Sequence, residues 1–283
     1  MGMIRIEGGE FAMGAARFYP EERPVRRMRV APFRIDAMPV TNAEFAHFVA
    51  AMGYRTVAER PCGAGAIAGS LVFVKPSGPV SLDDPAQWWR FIEGASWQRP
   101  RGPGSSLIGI EDHPVVHLAY EDALAYATWA GKALPSEAQW EFAARGGLDG
   151  ADYAWGNALA PEGLMLANYW QGAFPLENTL ADRWEFTAPV GRFPANGYGL
   201  FDMIGNVWEW TTDAWVSPDR AYEGALARCC GPAPDALASR RVIKGGSYLC
   251  AANYCQRYRP AARQGQPVDA PTGHLGLRCV SPA

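Results

Sequence analysis

An α+β domain with little regular secondary structure is the reading that three observations support. Gly 31, Pro 23 and Trp 11 in 283 residues describe a chain of many turns held by large aromatic anchors. Apolar–polar alternation is confined to short segments, and helix signals occur only three times. No repeat, low-complexity tract, charge block or break in composition divides the chain, so residues 1–283 read as one domain.

The elements follow in chain order. Residues 3–14 alternate around glycines and predict short strands with a turn, and a second strand pair follows near 27–30 and 33–35. Thr41, with Glu44 three residues on, forms a capping box, and Gly53 closes a helix over 42–52 that turns Phe45, Phe48 and Val49 inward. Residues 60–112 are rich in Gly, Pro and Ser, with Trp88, Trp89 and Trp97 embedded, and read as long loops pinned by indoles. A helix over 121–130 stops at Gly131. Another over 137–144 follows Pro135, is capped by Ser136 with Gln139, and ends at Gly146-Gly147. The remainder, 148–283, reads as loops with short strands near 241–243 and 275–280, and Trp208 and Trp210 share one strand face in the core.

Hydrophobic residues at 48% and charged residues at 19% exclude a disordered chain. A net charge of -3 supplies no positive field for nucleic acid. No run approaches a membrane span, and the N-terminus lacks the basic flank and apolar run of a secretory leader. A soluble, cytoplasmic chain is expected. Six cysteines, at 62, 229, 230, 250, 255 and 279, are too few and too scattered for a disulfide scaffold. Cys229-Cys230 read as surface thiols.

Three constellations carry chemistry. His113-Pro-Val-Val-His117 reads as an extended strand, with its imidazoles about 13 Å apart, too far to share one ion, and so as structural histidines. His47 and His274 complete no set. Cys250 and Cys255 lie five apart and face each other only if 251–254 turn. Converged, they form a redox disulfide or a two-thiolate site for a soft ion such as Cu(I), and otherwise they are buried structural thiols. Asn168 through Trp184 and Asp202 through Glu209 are loops rich in oxygen donors of the kind calcium takes, although neither has the EF-hand pattern and Asn and Asp also simply form turns.

Taken together, the motifs resemble a known family. Gly-Gly-Glu-Phe-Ala-Met-Gly14, His-Pro-Val-Val-His117, Leu-Pro-Ser-Glu-Ala-Gln-Trp-Glu141, Gly-Asn-Val-Trp-Glu-Trp210, Gly-Gly-Ser-Tyr248 and Leu-Gly-Leu-Arg-Cys279 are similar to the formylglycine-generating enzyme (sulfatase-modifying factor) family, nearly end to end. Cys250 and Cys255 match the active-site pair of its catalytic subgroup. The resemblance implies a single C-type-lectin-like domain. It also implies a copper-dependent oxidase that uses O2 and a thiol reductant to convert the cysteine of Cys-x-Pro-x-Arg in an unfolded sulfatase to Cα-formylglycine.

On that resemblance Cys250 and Cys255 hold Cu(I), and Ser247, Tyr254 and Trp208 line the active site and its O2 pocket. Asn168, Asp182 and the carbonyls of Tyr169 and Trp184 match one structural Ca2+ site. Asp202, Glu209 and the carbonyls of Gly205 and Val207 match a second. A monomer with no membrane or nucleic-acid partner is expected. Secretory relatives carry disulfides at positions that here are Ala144 with Pro260 and Ala127 with Cys279, which suits a bacterial-type, cytoplasmic member. Arg101 and His274 depart from the family pattern, as an acidic residue and an asparagine are common at those places. The alternatives are a non-haem iron sulfoxide synthase, for which the four histidines supply no iron site, and a lectin-like binding module, against which the cysteine pair speaks.

Overall fold

The computed structural model describes residues 2–61, 66–216 and 240–283. Cys62 and Cys229-Cys230 lie outside these. The alternating N-terminal segment forms β1 (Met3–Ile6) and β2 (Gly9–Met13). β2 pairs antiparallel with β3 (Arg26–Val30). β1 pairs with β4 (Phe33–Asp36), whose other edge takes β11 (Val280–Pro282), so the two chain ends close one three-stranded sheet.

Helix α1 (Asn42–Met52) carries the expected capping box, with the Thr41 hydroxyl accepting from Glu44 N at 3.2 Å and the Glu44 carboxylate accepting from Thr41 N at 2.9 Å. Phe45 and Phe48 are buried against Trp97 and Tyr126, with Phe45 edge-on to Trp97 at 5.2 Å. Helix α2 (Tyr120–Trp129) begins one residue earlier than the signal suggests, because the Asp122 carboxylate takes the free Ala119 N–H at 2.8 Å. Helix α3 (Glu137–Arg145) starts on the Ser136–Gln139 box and ends at Gly146, which is left-handed at φ 57.

Three expectations are corrected. Within the stretch that reads as loop, β5 (Gly69–Phe73) and β6 (Trp89–Glu93) form an antiparallel ladder. Its alternation is masked because Ser70 takes an inward position and its hydroxyl meets His117 Nδ1 at 2.8 Å. The 113–117 segment is not a regular strand, since His117 turns to φ 63. The expected strand at 275–280 is two pieces, β10 (Leu275–Gly276) and β11, separated because Arg278 turns inward to bond Glu209 at 2.7 Å.

The site is carried by a sheet of order β10-β7-β8-β9, with β7 (Trp208–Ala214), β8 (Arg240–Lys244) and β9 (Arg263–Pro267) antiparallel and β10 parallel to β7. β7 is buried on both faces: Trp208 and Trp210 lie in the core on one side, and Glu209 pairs with Arg278 on the other. Among the described residues no helix is long and apolar enough to cross a membrane.

Candidate active site

After β8 the chain must turn sharply, and Gly245 and Gly246 supply φ 99 and 72. A Cβ on Gly246 would come within 2.6 Å of the Arg257 carbonyl, so the outgoing and returning strands can cross this closely only at glycine. The turn over 251–254 then forms: Cys250 N donates to Ser247 O at 2.9 Å and Cys255 N to Ala251 O at 3.0 Å. This turn converts an unfavourable spacing of five into facing sulfurs, with Cys250 Sγ and Cys255 Sγ 3.4 Å apart. Both are free thiols and both are buried.

Their environments divide them. Burial pushes the Cys250 thiol well up, while Cys255 is drawn down to about 6 by the Cys250 hydrogen bond and, against burial, by the charge of Arg257. One proton is therefore shared, with the negative charge on Cys255. Arg257 Nη1 lies 3.6 Å from Cys255 Sγ, and the same guanidinium is held by Glu21 at 2.7 Å and lies 4.0 Å from the Tyr19 ring centre. Arg259 pairs with Glu22 alongside. These partners come from residues 18–22, so the N-terminal region clamps the cysteine loop.

A small cavity opens on the thiols. Its wall includes the sequence-expected Ser247, Tyr254 and Trp208, together with Trp88, Trp89, Phe174, Gln264 and His274. Tyr254 stacks on Phe174 at 4.7 Å, and Trp88 meets each ring edge-on at 5.3 Å, which makes a stiff apolar wall. His274 Nδ1 lies 3.0 Å from Ser247 Oγ, and its carbonyl accepts from Trp208 N at 2.8 Å. Residue chemistry did not place Phe174, Gln264, Arg257 or Glu21 at the site. The adjacent Trp88-Trp89 indoles, read as loop anchors, were the available signal.

The other histidines are engaged separately. His113 Nδ1 meets Thr187 Oγ1 at 2.9 Å, His117 Nε2 meets Pro100 O at 2.8 Å, and His47 lies against Trp129. Arg101 sits over the Phe186 ring at 5.1 Å, beside a separate cavity of about 250 Å³.

The oxygen-rich loops lie behind the cysteine turn. Asn168 donates through Nδ2 to Phe186 O at 2.8 Å, while its buried Oδ1 has no hydrogen-bond partner. The Asp182 carboxylate accepts from Tyr169 N at 3.2 Å, Gln171 Nε2 at 2.8 Å and Trp184 N at 2.9 Å, and burial raises its pKa. In the second loop the Asp202 carboxylate accepts from Gly191 N at 2.6 Å. Glu209 accepts from Arg278 at 2.7 and 2.9 Å and from Trp140 Nε1 at 2.6 Å. Gly205 and the buried Val207 lie between, and Asn206 N donates to Asn168 O at 2.8 Å, so the two loops abut. Among the described residues no three His, Cys, Asp or Glu side chains converge on one point.

The sulfatase-modifying factor enzyme 1-like domain matches residues 1–283. The chain belongs to the sulfatase-modifying factor family. It is 49% identical over 292 residues to the formylglycine-generating enzyme of Mycobacterium tuberculosis, covering 99% of this chain and 97% of that protein. It is 48% identical over 286 residues to that of Streptomyces coelicolor, covering 100% and 90%. The family also has inactive members, and the chain is 38% identical over 296 residues to an inactive Cα-formylglycine-generating enzyme 2 of Bos taurus, covering 100% and 89%. Among solved structures, PvdO from Pseudomonas aeruginosa shares the sulfatase-modifying factor fold at a TM-score of 0.67 and 23% identity, covering 99% of this chain and 94% of that one.

Proposed function

We propose that this chain is an O2-dependent oxidoreductase that converts the cysteine of a Cys-x-Pro-x-Arg segment in an unfolded sulfatase to Cα-formylglycine. The observation that carries the reading is the pair of free thiols, 3.4 Å apart at a cavity, in a chain that is 49% identical to a formylglycine-generating enzyme. In balance, the substrate thiol with its methylene carbon, one O2 and two reductant thiols yield an aldehyde, hydrogen sulfide, water and a disulfide.

The donor set suits Cu(I): two soft sulfurs, one already thiolate, in a water-poor apolar pocket. Bound by Cys250 and Cys255, Cu(I) supplies one-electron chemistry toward O2. The chain's own residues do the rest. Arg257 balances the charge on Cys255, the Tyr254–Phe174–Trp88 wall excludes water, and Trp208 with Ser247 lines the space beside the thiols. On this reading the substrate enters as an extended, unfolded segment that reaches the thiols across a loop-rich surface.

Ca2+ is proposed at the two abutting loops as a structural ion. Asn168 Oδ1, buried and unpartnered, supports the first site, with Asp182 and the carbonyls of Tyr169 and Trp184. Burial raises Asp202 to about 6, so a cation there relieves a buried carboxylate beside Glu209 and the carbonyls of Gly205 and Val207. Free Cys279, with Ala127 where a partner cysteine is expected, supports a cytoplasmic setting. A monomer completes the reading.

The test is conversion of a Cys-x-Pro-x-Arg peptide, with copper counted per chain in wild type, Cys250→Ser and Cys255→Ser. One Cu(I) per wild-type chain, lost with either thiol, is expected. Full activity in rigorously copper-free protein defeats the copper assignment, and absence of aldehyde from any such peptide defeats the oxidase reading. Equal conversion of folded sulfatase refutes the extended-peptide requirement.

A further inference from the structure

We infer that Tyr19 is a positioning residue for the thiol pair: its ring fixes the guanidinium of Arg257 against the Cys255 sulfur, where the cation offsets the negative charge of the metal-bearing pair. The role toward Cu(I) rests on the copper assignment above. Arg257 reaches Cys255 Sγ through Nη1 at 3.6 Å. Its Nε and Nη2 both run to a single carboxylate oxygen, Glu21 Oε1, at 3.2 and 2.7 Å. Glu21 Oε2 is buried and takes no hydrogen bond among the described residues.

The form of that ion pair matters. An arginine and a carboxylate joined by two parallel bonds, one to each oxygen, share a plane. Two bonds that converge on one oxygen set a distance but not a plane, and tilting about that oxygen swings Nη1 toward or away from the sulfur. The Tyr19 ring supplies the plane. Its centre lies 4.0 Å from Arg257 Cζ, close enough for the planar cation to stack on the aromatic face.

The ring is itself tied to the same stretch of chain. Gln256, between Cys255 and Arg257, donates its backbone N–H to the Tyr19 hydroxyl oxygen at 2.9 Å. Tyr19 therefore holds one residue by its oxygen and the next by its ring, and so sets the spacing between sulfur and cation. The neighbouring ring serves a different arginine. Phe18 lies 3.6 Å from Arg259 Cζ, and that guanidinium bonds Glu22 and the Gln256 carbonyl.

Two measurements on the full chain test this. Side-chain spectra of arginine-labelled, metal-free protein read the stack directly. The Arg257 side-chain protons are expected upfield of those of exposed arginines in wild type and Tyr19→Phe, and not in Tyr19→Leu. A wild-type Arg257 without the upfield shift overturns the inference, whether or not the chain binds metal.

Competition with a Cu(I) chelator then reads affinity at pH 5. There Cys255, with its pKa near the printed value of about 6, and Cys250, pushed well above, hold their protons until metal binds. Retreat of the guanidinium by about 1.5 Å, at an effective dielectric of about 20, is worth about a factor of ten. Tyr19→Leu is expected to weaken Cu(I) binding by about tenfold with the stoichiometry unchanged, Tyr19→Phe by no more than about threefold, and Phe18→Leu by less than about twofold. In a Glu21→Gln/Arg257→Gln background Tyr19→Leu should add nothing, because Tyr19 acts through Arg257. Unchanged affinity in Tyr19→Leu, a phenylalanine variant as weak as the leucine, an equal loss in Phe18→Leu, or a tenfold loss that persists in the double background overturns the inference. A wild-type chain that binds no Cu(I) defeats the copper assignment instead, and the Arg257 shift still decides the geometry.

Discussion

Replacing Arg257 with Gln is expected to raise the pKa of Cys255 and deplete its thiolate. The hydrogen bond from Cys250 and then the Arg257 charge bring Cys255 to about 6 despite burial. Arg257 Nη1 lies 3.6 Å from the sulfur. At an effective dielectric of about 20, a unit charge at that distance contributes about 4–5 kcal/mol, or roughly three pK units. Glu21 neutralises another edge of the same guanidinium at 2.7 Å, so the net loss is on the order of one to two units. Removing a positive charge disfavours the anion, hence the upward sign.

At pH 7 the thiolate then falls from about nine-tenths to between about one half and one tenth. Thiolate ultraviolet absorbance of the metal-free chain, titrated with Cys62, Cys229 and Cys230 replaced by Ser, reads the midpoint. The single variant leaves Glu21 buried without its partner, at a cost of about 3–5 kcal/mol, and Glu21→Gln/Arg257→Gln removes both charges to separate stability from titration. A midpoint that stays within a few tenths of a unit of wild type in both variants refutes the role given to Arg257.

Stripping calcium should lower Tm: at saturation of about a thousandfold over Kd each ion adds about 4 kcal/mol, and an unchanged Tm after chelation of metal-stripped and calcium-loaded samples alike counts against the two loop sites. Gly205→Ala should cost more than about 3 kcal/mol, because Gly205 is at φ 75 and a Cβ there collides with the Asn168 carbonyl. Gly150→Ala, at φ 78 with open space around it, should cost only about 1 kcal/mol, and equal urea midpoints for the two would sink the steric argument. His117, whose pKa burial lowers to about 4, is protonated more easily in the unfolded chain. Its contribution is therefore complete above pH about 6.5 and is lost as pH falls toward 4, by about 3 kcal/mol. His117→Gln should flatten that part of the stability curve, and an unaltered slope would exclude His117 as its source.

The three helices were legible because their signals are local: Thr41 with Glu44 and Ser136 with Gln139 satisfy each other's backbone across three residues, whatever lies around them, and Gly131 marks the end of the helix between them. The facing thiols were legible as a condition, a turn at 251–254, and by resemblance as a ligand pair. The β5–β6 ladder was not, because Ser70 occupies a core position that becomes favourable once distant partners arrive to bond it, the Pro271 carbonyl 201 residues away and His117 47 residues away in sequence. The charge balance of Cys255 was equally hidden, since Arg257 meets Glu21 across 236 residues. Composition, capping and turn chemistry act within a few residues and so belong to the sequence. Buried polar pairs become favourable only when folding removes water and brings distant partners together, so the identity of the residues that tune Cys255 belongs to the packed structure.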